Sequence, residues 1–327
     1  MKTNEIYNID FLANDLPDKC ADLIICDPPY FEVKGDFDFK FESFEAYLQQ
    51  VDIWARECKR LLSETGTLFW WGDAKKIAYS QIILDKYFNL ENSLIWEKNE
   101  CQNKRADFTQ SRCFAPVTER LLIYSNEIDQ TGLERIKLDI NNFSTLRAYA
   151  KQVFEFIGKS NKEIEKVFGN RKFEHFFYFA STQWDLATLE TYNALILHFG
   201  IDKMAGFREY ESLRIEYKSL RIEYESLRRY FNNTELKLTD VLKFSQEAHI
   251  MGKYAHPTQK PPKLCAILIE TCSRPNSLIV VPFVGSGVEC EQSIRLKRNY
   301  IGFEIDKDYC QLAKNRVDFQ KLKPEMF

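Results

Sequence analysis

The sequence predicts an α/β fold: a doubly wound, seven-stranded and mostly parallel sheet interrupted by a helical insert. Three observations predict it. Short apolar runs alternate with amphipathic stretches over the first third of the chain, that rhythm stops between about residues 130 and 250, and it then returns. At 327 residues and 45% hydrophobic content, the chain has room for one large α/β domain and a smaller insert. The expected organisation is therefore 1–129, 130–250 and 251–327, the outer segments forming two halves of one sheet.

The apolar runs place strands at 6–8, 23–26, 67–71, 93–96 and 121–124. Between the second and third, Phe44, Tyr47, Leu48, Val51, Trp54, Cys58, Leu61 and Leu62 recur at helical spacing, giving a helix with one apolar face to lay on the sheet. After residue 250 come a helix at 263–271, a strand at 277–281, a helix after Gly287, a strand at 300–304 and a last helix from Lys307. A doubly wound sheet of this size carries a ligand crevice where the strand order reverses.

The insert reads as charged, aromatic-rich helices. An amphipathic stretch at 146–157 is followed by Ser160-Asn161-Lys162-Glu163, a capping box that starts a second helix ending near Gly169; together they have the outline of a helix-turn-helix. Then REYESLR, IEYKSLR and IEYESLR repeat with a period of seven over 208–228. Tyr210, Leu213, Tyr217, Leu220, Tyr224 and Leu227 form an a/d stripe on one straight helix. Three heptads are at the lower limit for a coiled coil, so the stripe is expected to pack on its own domain; pairing of two copies as a homodimer is the alternative.

Composition excludes several classes. No stretch of about twenty apolar residues is present and the start, MKTNEIYNIDF, has no basic or apolar leader region, so a cytoplasmic protein with no membrane partner is expected. Nine cysteines include no CxxC pair, and no metal site is expected. A net charge of −3 does not suit indiscriminate coating of nucleic acid, so any such contact needs a local basic face.

Asp27-Pro28-Pro29-Tyr30 follows the 23–26 strand directly, at the strand end where open α/β sheets bind ligands. The prolines lock the backbone and remove two N–H donors, leaving carbonyls that only accept; Asp27 adds a carboxylate. The set suits a group offering two N–H bonds, such as an exocyclic amine, with Tyr30 as a flat face for its ring. A strand end with a Pro-Pro turn and an Asp cap explains the four residues equally well when they are taken alone. The nearby Phe31 and Trp71 read as wall and core.

The second site is Val281-Pro282-Phe283-Val284-Gly285-Ser286-Gly287, again strand, glycine turn and helix. Gly285 and Gly287 let backbone approach a ligand, although Cys290 occupies the third glycine position of a full dinucleotide fingerprint. Glu304, at the end of the next strand, can accept bonds from two ribose hydroxyls. No Arg or Lys lies in the turn, which favours an adenosyl group without phosphate over a pyrophosphate.

In this order, Asp27-Pro28-Pro29-Tyr30, then His256-Pro257-Thr258-Gln259-Lys260-Pro261, then Phe283, Gly285 and Gly287 resemble the DNA amino-methyltransferases, in the group whose catalytic motif precedes its cofactor motif. The resemblance implies a class I methyltransferase (Rossmann-like) sheet, circularly rearranged, with the target-recognition region inserted between its halves. It implies S-adenosylmethionine as cofactor and double-stranded DNA as partner, and admits a companion restriction endonuclease. It also implies that Asp10 contacts the cofactor adenine, that Thr258 and Lys260 line its methionine end, and that Phe283, Ser286 and Asp27 belong to the same pocket.

In that family the Asp form of the motif leans towards adenine N6 and the Ser form towards cytosine N4, so Asp27 favours adenine with cytosine as the alternative. Methylation of RNA or of a protein amide, and an inert DNA-binding homologue, are the remaining alternatives. For DNA contact the candidates are Lys98, Lys104, Arg105 and Arg112 in a polar stretch that also holds Asn99, Gln102, Asn103 and Gln110, and Arg171 and Lys172 in the insert.

Overall fold

The computed structural model describes residues 1–33, 38, 40–98, 114, 116–126, 143–181, 183–226, 228–245 and 259–322. The chain divides into two compact units, one formed by Met1–Gln130 with Arg229–Phe327 and the other by Thr131–Arg228.

The first unit opens with β1 (Glu5–Tyr7) and β2 (Ala21–Cys26), followed by α1 (Phe44–Leu61) and β3 (Leu62–Asp73). Ser43 starts α1 by accepting the Ala46 N–H at 3.1 Å, and Tyr47, Val51, Trp54, Cys58 and Leu61 are its buried face, as the spacing predicts. Next come α2 (Ile77–Leu84), β4 (Asn89–Glu97) and β5 (Thr118–Ser125).

The second unit is helical. In it, α3 (Ser144–Ile157) and α4 (Asn161–Phe168) are joined at Gly158, and the expected capping box is formed, with the Glu163 carboxylate accepting both the Ser160 N–H at 2.9 Å and its hydroxyl at 2.6 Å. The short α5 (Glu174–Phe177), α6 (Leu189–Phe199) and α7 (Tyr210–Ser226) complete it around an aromatic core that includes Phe143, Tyr149, Phe173, Phe176, Trp184 and Tyr192.

The chain returns to the sheet through β6 (Val241–Lys243), α8 (Pro262–Cys272), β7 (Leu278–Val281), α9 (Val288–Arg295), β8 (Asn299–Phe303) and α10 (Lys307–Lys321). The sheet is eight-stranded, in the order β1-β8-β7-β2-β3-β5-β4-β6, with β5 antiparallel to both its neighbours and the other pairs parallel. The expectation of seven strands thus falls one short. The missed strand, β6, is three residues long and buries only Leu242, too short a run to show a period.

Side chains of β2 alternate between two cores. Ile24 and Cys26 face α1 and α2, whereas Leu23 and Ile25 share the other face with residues of α8, α9 and α10. The adjacent strands β7 and β2 are the switch point: from β7 the chain crosses by α9 to β8 on one side, and from β2 by α1 to β3 on the other. Their carboxyl ends are where a doubly wound sheet binds its ligand.

Candidate active site

Asp27 leaves the end of β2 with its carboxylate enclosed by donors. The Tyr30 hydroxyl donates to Oδ1 at 2.6 Å, and Lys260 Nζ donates to Oδ2 at 2.6 Å while lying 3.4 Å from the Tyr30 oxygen. Tyr30 is itself braced, because its N–H donates to the buried Asp38 carboxylate at 2.6 Å. Burial, with Asp27 and Glu119 beside it, pushes the phenol well above its ordinary range, so it remains a hydroxyl donor. Pro28 is buried and Pro29 half-buried behind the loop.

Lys260, just before α8, is 2% exposed. It has a second counter-charge, Glu119 at 3.2 Å, and its ammonium lies 4.9 Å from the centroid of the Trp71 ring. Burial alone would lower this ammonium's pKa, but the two carboxylates more than reverse that and hold it above its usual range. Glu119 in turn pairs with Lys98, which lies over the Trp96 ring at 5.0 Å. Burial opposes ionisation of Glu119, and the two lysines overcome it, so its carboxyl is held below the usual range. The result is an alternating chain of charge, Asp27, Lys260, Glu119 and Lys98.

The glycine turn follows β7. Gly285 has φ +50° and its N–H donates to Glu304 Oε2 at 2.8 Å; Glu304 Oε1 accepts the Asp306 N–H at 2.9 Å. Glu304 therefore braces the turn from the end of β8 and keeps acceptor capacity on both oxygens. Burial raises its pKa, an effect its backbone donors oppose. Gly287 has φ +79°, and a Cβ there would stand 2.8 Å from Ala313 Cβ on α10, so close helix packing also requires a glycine at this position. Phe283 packs edge-on against Trp54 at 4.9 Å, and Ser286 is buried near Arg316, whose Nη1 is 3.4 Å from its carbonyl.

Of the remaining candidates, Asp10 follows β1 and caps the short turn Phe11–Ala13 through the Leu12 N–H at 2.8 Å. Asp10 thus lies three residues beyond β1, and Glu304 directly follows its neighbour β8. Lys98, an expected DNA contact, is turned to Glu119, with a side chain 18% exposed. Arg171 is exposed and paired with Glu174 at 2.5 Å, and Lys172 is exposed, both in the helical unit. Thr258, Lys104, Arg105, Arg112, Asn99, Gln102, Asn103 and Gln110 lie outside the described residues.

Sequence reading missed Glu119, Asp38 and Glu289. Glu289, in the first turn of α9, is 5% exposed and accepts the Cys265 thiol at 3.6 Å. Burial pushes its carboxyl up to about 7; Asp27 adds to the rise, and Lys260 and Arg316 oppose it. Glu119 sits in the polar Thr118-Glu119-Arg120 start of β5, which gives no local signal that sets it apart.

The DNA methylase family model for adenine-N6 and cytosine-N4 enzymes matches residues 21–315. The chain belongs to the N6/N4 DNA methylase family. Its curated relatives include the Type II methyltransferase M.HinfI of Haemophilus influenzae, 25% identical over 94% of this chain. The match spans 66% of that relative's length. Among solved structures, the PvuII DNA methyltransferase, cytosine-N4-specific, aligns over 98% of this chain and 87% of its own, at 15% identity and TM-score 0.52. TTHA0409 of Thermus thermophilus, complexed with S-adenosyl-L-methionine, aligns over 97% and 93%, at 17% identity and TM-score 0.50. These likenesses establish the fold, a class I methyltransferase sheet in circularly rearranged order.

The family uses S-adenosylmethionine. The residues present suit that group: Glu304 keeps acceptor capacity at the end of β8 for ribose hydroxyls, and the glycine turn has no basic residue to hold a phosphate.

Proposed function

We propose that the chain transfers a methyl group from S-adenosylmethionine to the exocyclic amine of a base flipped out of double-stranded DNA, with adenine N6 as the target. The observation that carries this reading is the Asp27 carboxylate, fixed at the switch point by Tyr30 and Lys260 next to the glycine turn that Glu304 braces.

An exocyclic amine is a poor nucleophile because its lone pair is delocalised into the ring. Asp27 and the Pro28 carbonyl accept its two N–H bonds, which favours a pyramidal nitrogen and stabilises the positive charge that grows on it. The Asp27 side chain is already held at both oxygens, so little of that alignment is left to be made during the reaction. Extrusion of the base costs a few kcal/mol, and stacking on the Tyr30 ring, worth about 1–3 kcal/mol, offsets part of it. Glu304 and Asp10 would hold the ribose and adenine of the cofactor, with Phe283 and Ser286 along the turn and Lys260 at the methionine end. When bound, the cofactor supplies an electrophilic methyl group. Arg171 and Lys172 are candidate phosphate contacts in the helical unit, which we read as the target-recognition region.

Nucleoside mass spectrometry tests this on methylation-free DNA incubated with methyl-labelled S-adenosylmethionine, for the intact chain and for Asp27→Ala. Labelled N6-methyladenine that disappears in the variant is the expected result. Labelled N4-methylcytosine would replace adenine by cytosine as the target, and label in neither base would overturn the reading.

A further inference from the structure

We propose that Glu119 is a positioning residue for methyl transfer, acting through Lys260 to hold the Asp27 carboxylate in place. The inference rests on the reading of Asp27 as the acceptor of the amine, and deepens it.

The geometry is that of a braced ammonium. Lys260 lies between two carboxylates, 2.6 Å from Asp27 Oδ2 and 3.2 Å from Glu119 Oε2, with the Trp71 and Tyr30 rings 4.9 and 5.7 Å away. A lysine with Asp27 alone would have one strong contact at the end of a flexible stem; the second carboxylate, from β5, adds an ion-pair contact at 3.2 Å that further restrains the nitrogen. Glu119 is fixed in its turn by Lys98 at the end of β4 and by strand pairing opposite Trp96 and Asp73. Rigid strands thus reach the Asp27 loop through one buried cation. The four charges sum to zero, which suits their burial: an ion pair stripped of one partner in such a site loses far more than it gains.

The other titratable groups facing Lys260 and Asp27 are Tyr30 on the same loop, Glu289 on α9, Cys265 on α8 and Cys26 at the end of β2. Burial keeps Tyr30, Cys26 and Cys265 well above their ordinary ranges, and Glu289 titrates near neutrality. Both Lys98 and Lys260 lose a counter-charge when Glu119 is neutralised, and Lys260 is the one of the two bonded to Asp27, so its proton loss is the one that should reach the rate in the alkaline range.

The test is the pH dependence of kcat in Glu119→Gln, together with the Lys260 ammonium followed by NMR on lysine labelled at Cε. In the intact chain the rate should stay level to the alkaline end of the range. In Glu119→Gln, kcat should fall about tenfold with KM for the cofactor nearly unchanged, and a basic limb should appear at or below about pH 10, with Lys260 titrating at the same pH. Adding Lys260→Arg, whose charge is permanent, should abolish the limb. Absence of a basic limb in folded Glu119→Gln, or a limb that survives Lys260→Arg, overturns the inference. Should Glu119→Gln fail to fold, Glu119→Asp gives the same reading, with a smaller loss of kcat and Lys260 still titrating above its ordinary range; an unchanged kcat there would overturn it too. If the intact chain methylates no base, the underlying reading has failed instead, and the Lys260 titration still reports whether Glu119 sustains its charge.

Discussion

Tyr30 has two separable parts. Its hydroxyl orients Asp27 and its ring is the proposed stacking face, while the Asp38 bond to its N–H keeps the loop in register. Tyr30→Phe keeps the ring and loses one hydrogen bond to a charged acceptor, worth about 1.5–3 kcal/mol; Tyr30→Ala loses both. We therefore expect kcat to fall in both variants but base binding to weaken chiefly in Tyr30→Ala, with cofactor affinity nearly unchanged in each. Steady-state kinetics with fluorescence-monitored base extrusion checks this, and unchanged turnover in Tyr30→Ala would remove the stacking role. At this scale the sequence was informative wherever function is local. Asp27 to Tyr30 and Phe283 to Gly287 each sit on a strand and the turn after it, so a short window displays them. Glu119 does not: it reaches the crevice only because β5 runs antiparallel, which brings its first residues, rather than its last, to the carboxyl edge of the sheet opposite Asp73. The same reversal sets Glu119 beside Lys98 and turns an expected phosphate contact inward.

Among the elements, legibility followed apolar runs, periods and caps rather than length, since the three-residue β1 was read at 6–8. The 44–61 helix, the capped pair around Ser160 and the heptad helix follow from spacing and caps, whereas β6 offers three residues and one buried side chain. In α7, Leu213 is fully buried, Tyr217 stacks on Phe143 at 5.1 Å and bonds Asp185 at 2.8 Å, and Tyr210 and Leu220 pack on the same core, so the stripe serves its own unit. The opposite face carries Ile215 and Ile222, 62% and 72% exposed. Leu213→Ala should cost about 2–5 kcal/mol in denaturant unfolding of the helical unit, and Ile222→Ser no more than about 0.5 kcal/mol. Equal costs would contradict the observed face.

For the molecule as a whole, Glu289 makes stability depend on pH. Its carboxyl is raised from about 4.5 to about 7 in the folded chain, so the folded state retains a proton that the unfolded state releases in that interval. The associated stability is complete below pH 4.5, declines as pH rises to 7 and is absent above it, a difference on the order of 3 kcal/mol. Glu289→Gln should lack this decline. Urea unfolding of both chains at about pH 5 and about pH 8 checks it, and parallel losses in the two would show that Glu289 is not the source.

The strand order also has a temporal consequence. β2 is paired on one side by β3, completed by Asp73, but on the other by β7, with Ile24 opposite Val280. At roughly 5–20 residues per second, a ribosome needs on the order of ten to fifty seconds to supply that second partner. Meanwhile an apolar strand waits with one bare edge, a hazard for association with other nascent chains. Asp22 and Asp27 stand at the two ends of that run, so the carboxylate proposed to take the amine is also a charge placed where it opposes edge-to-edge pairing.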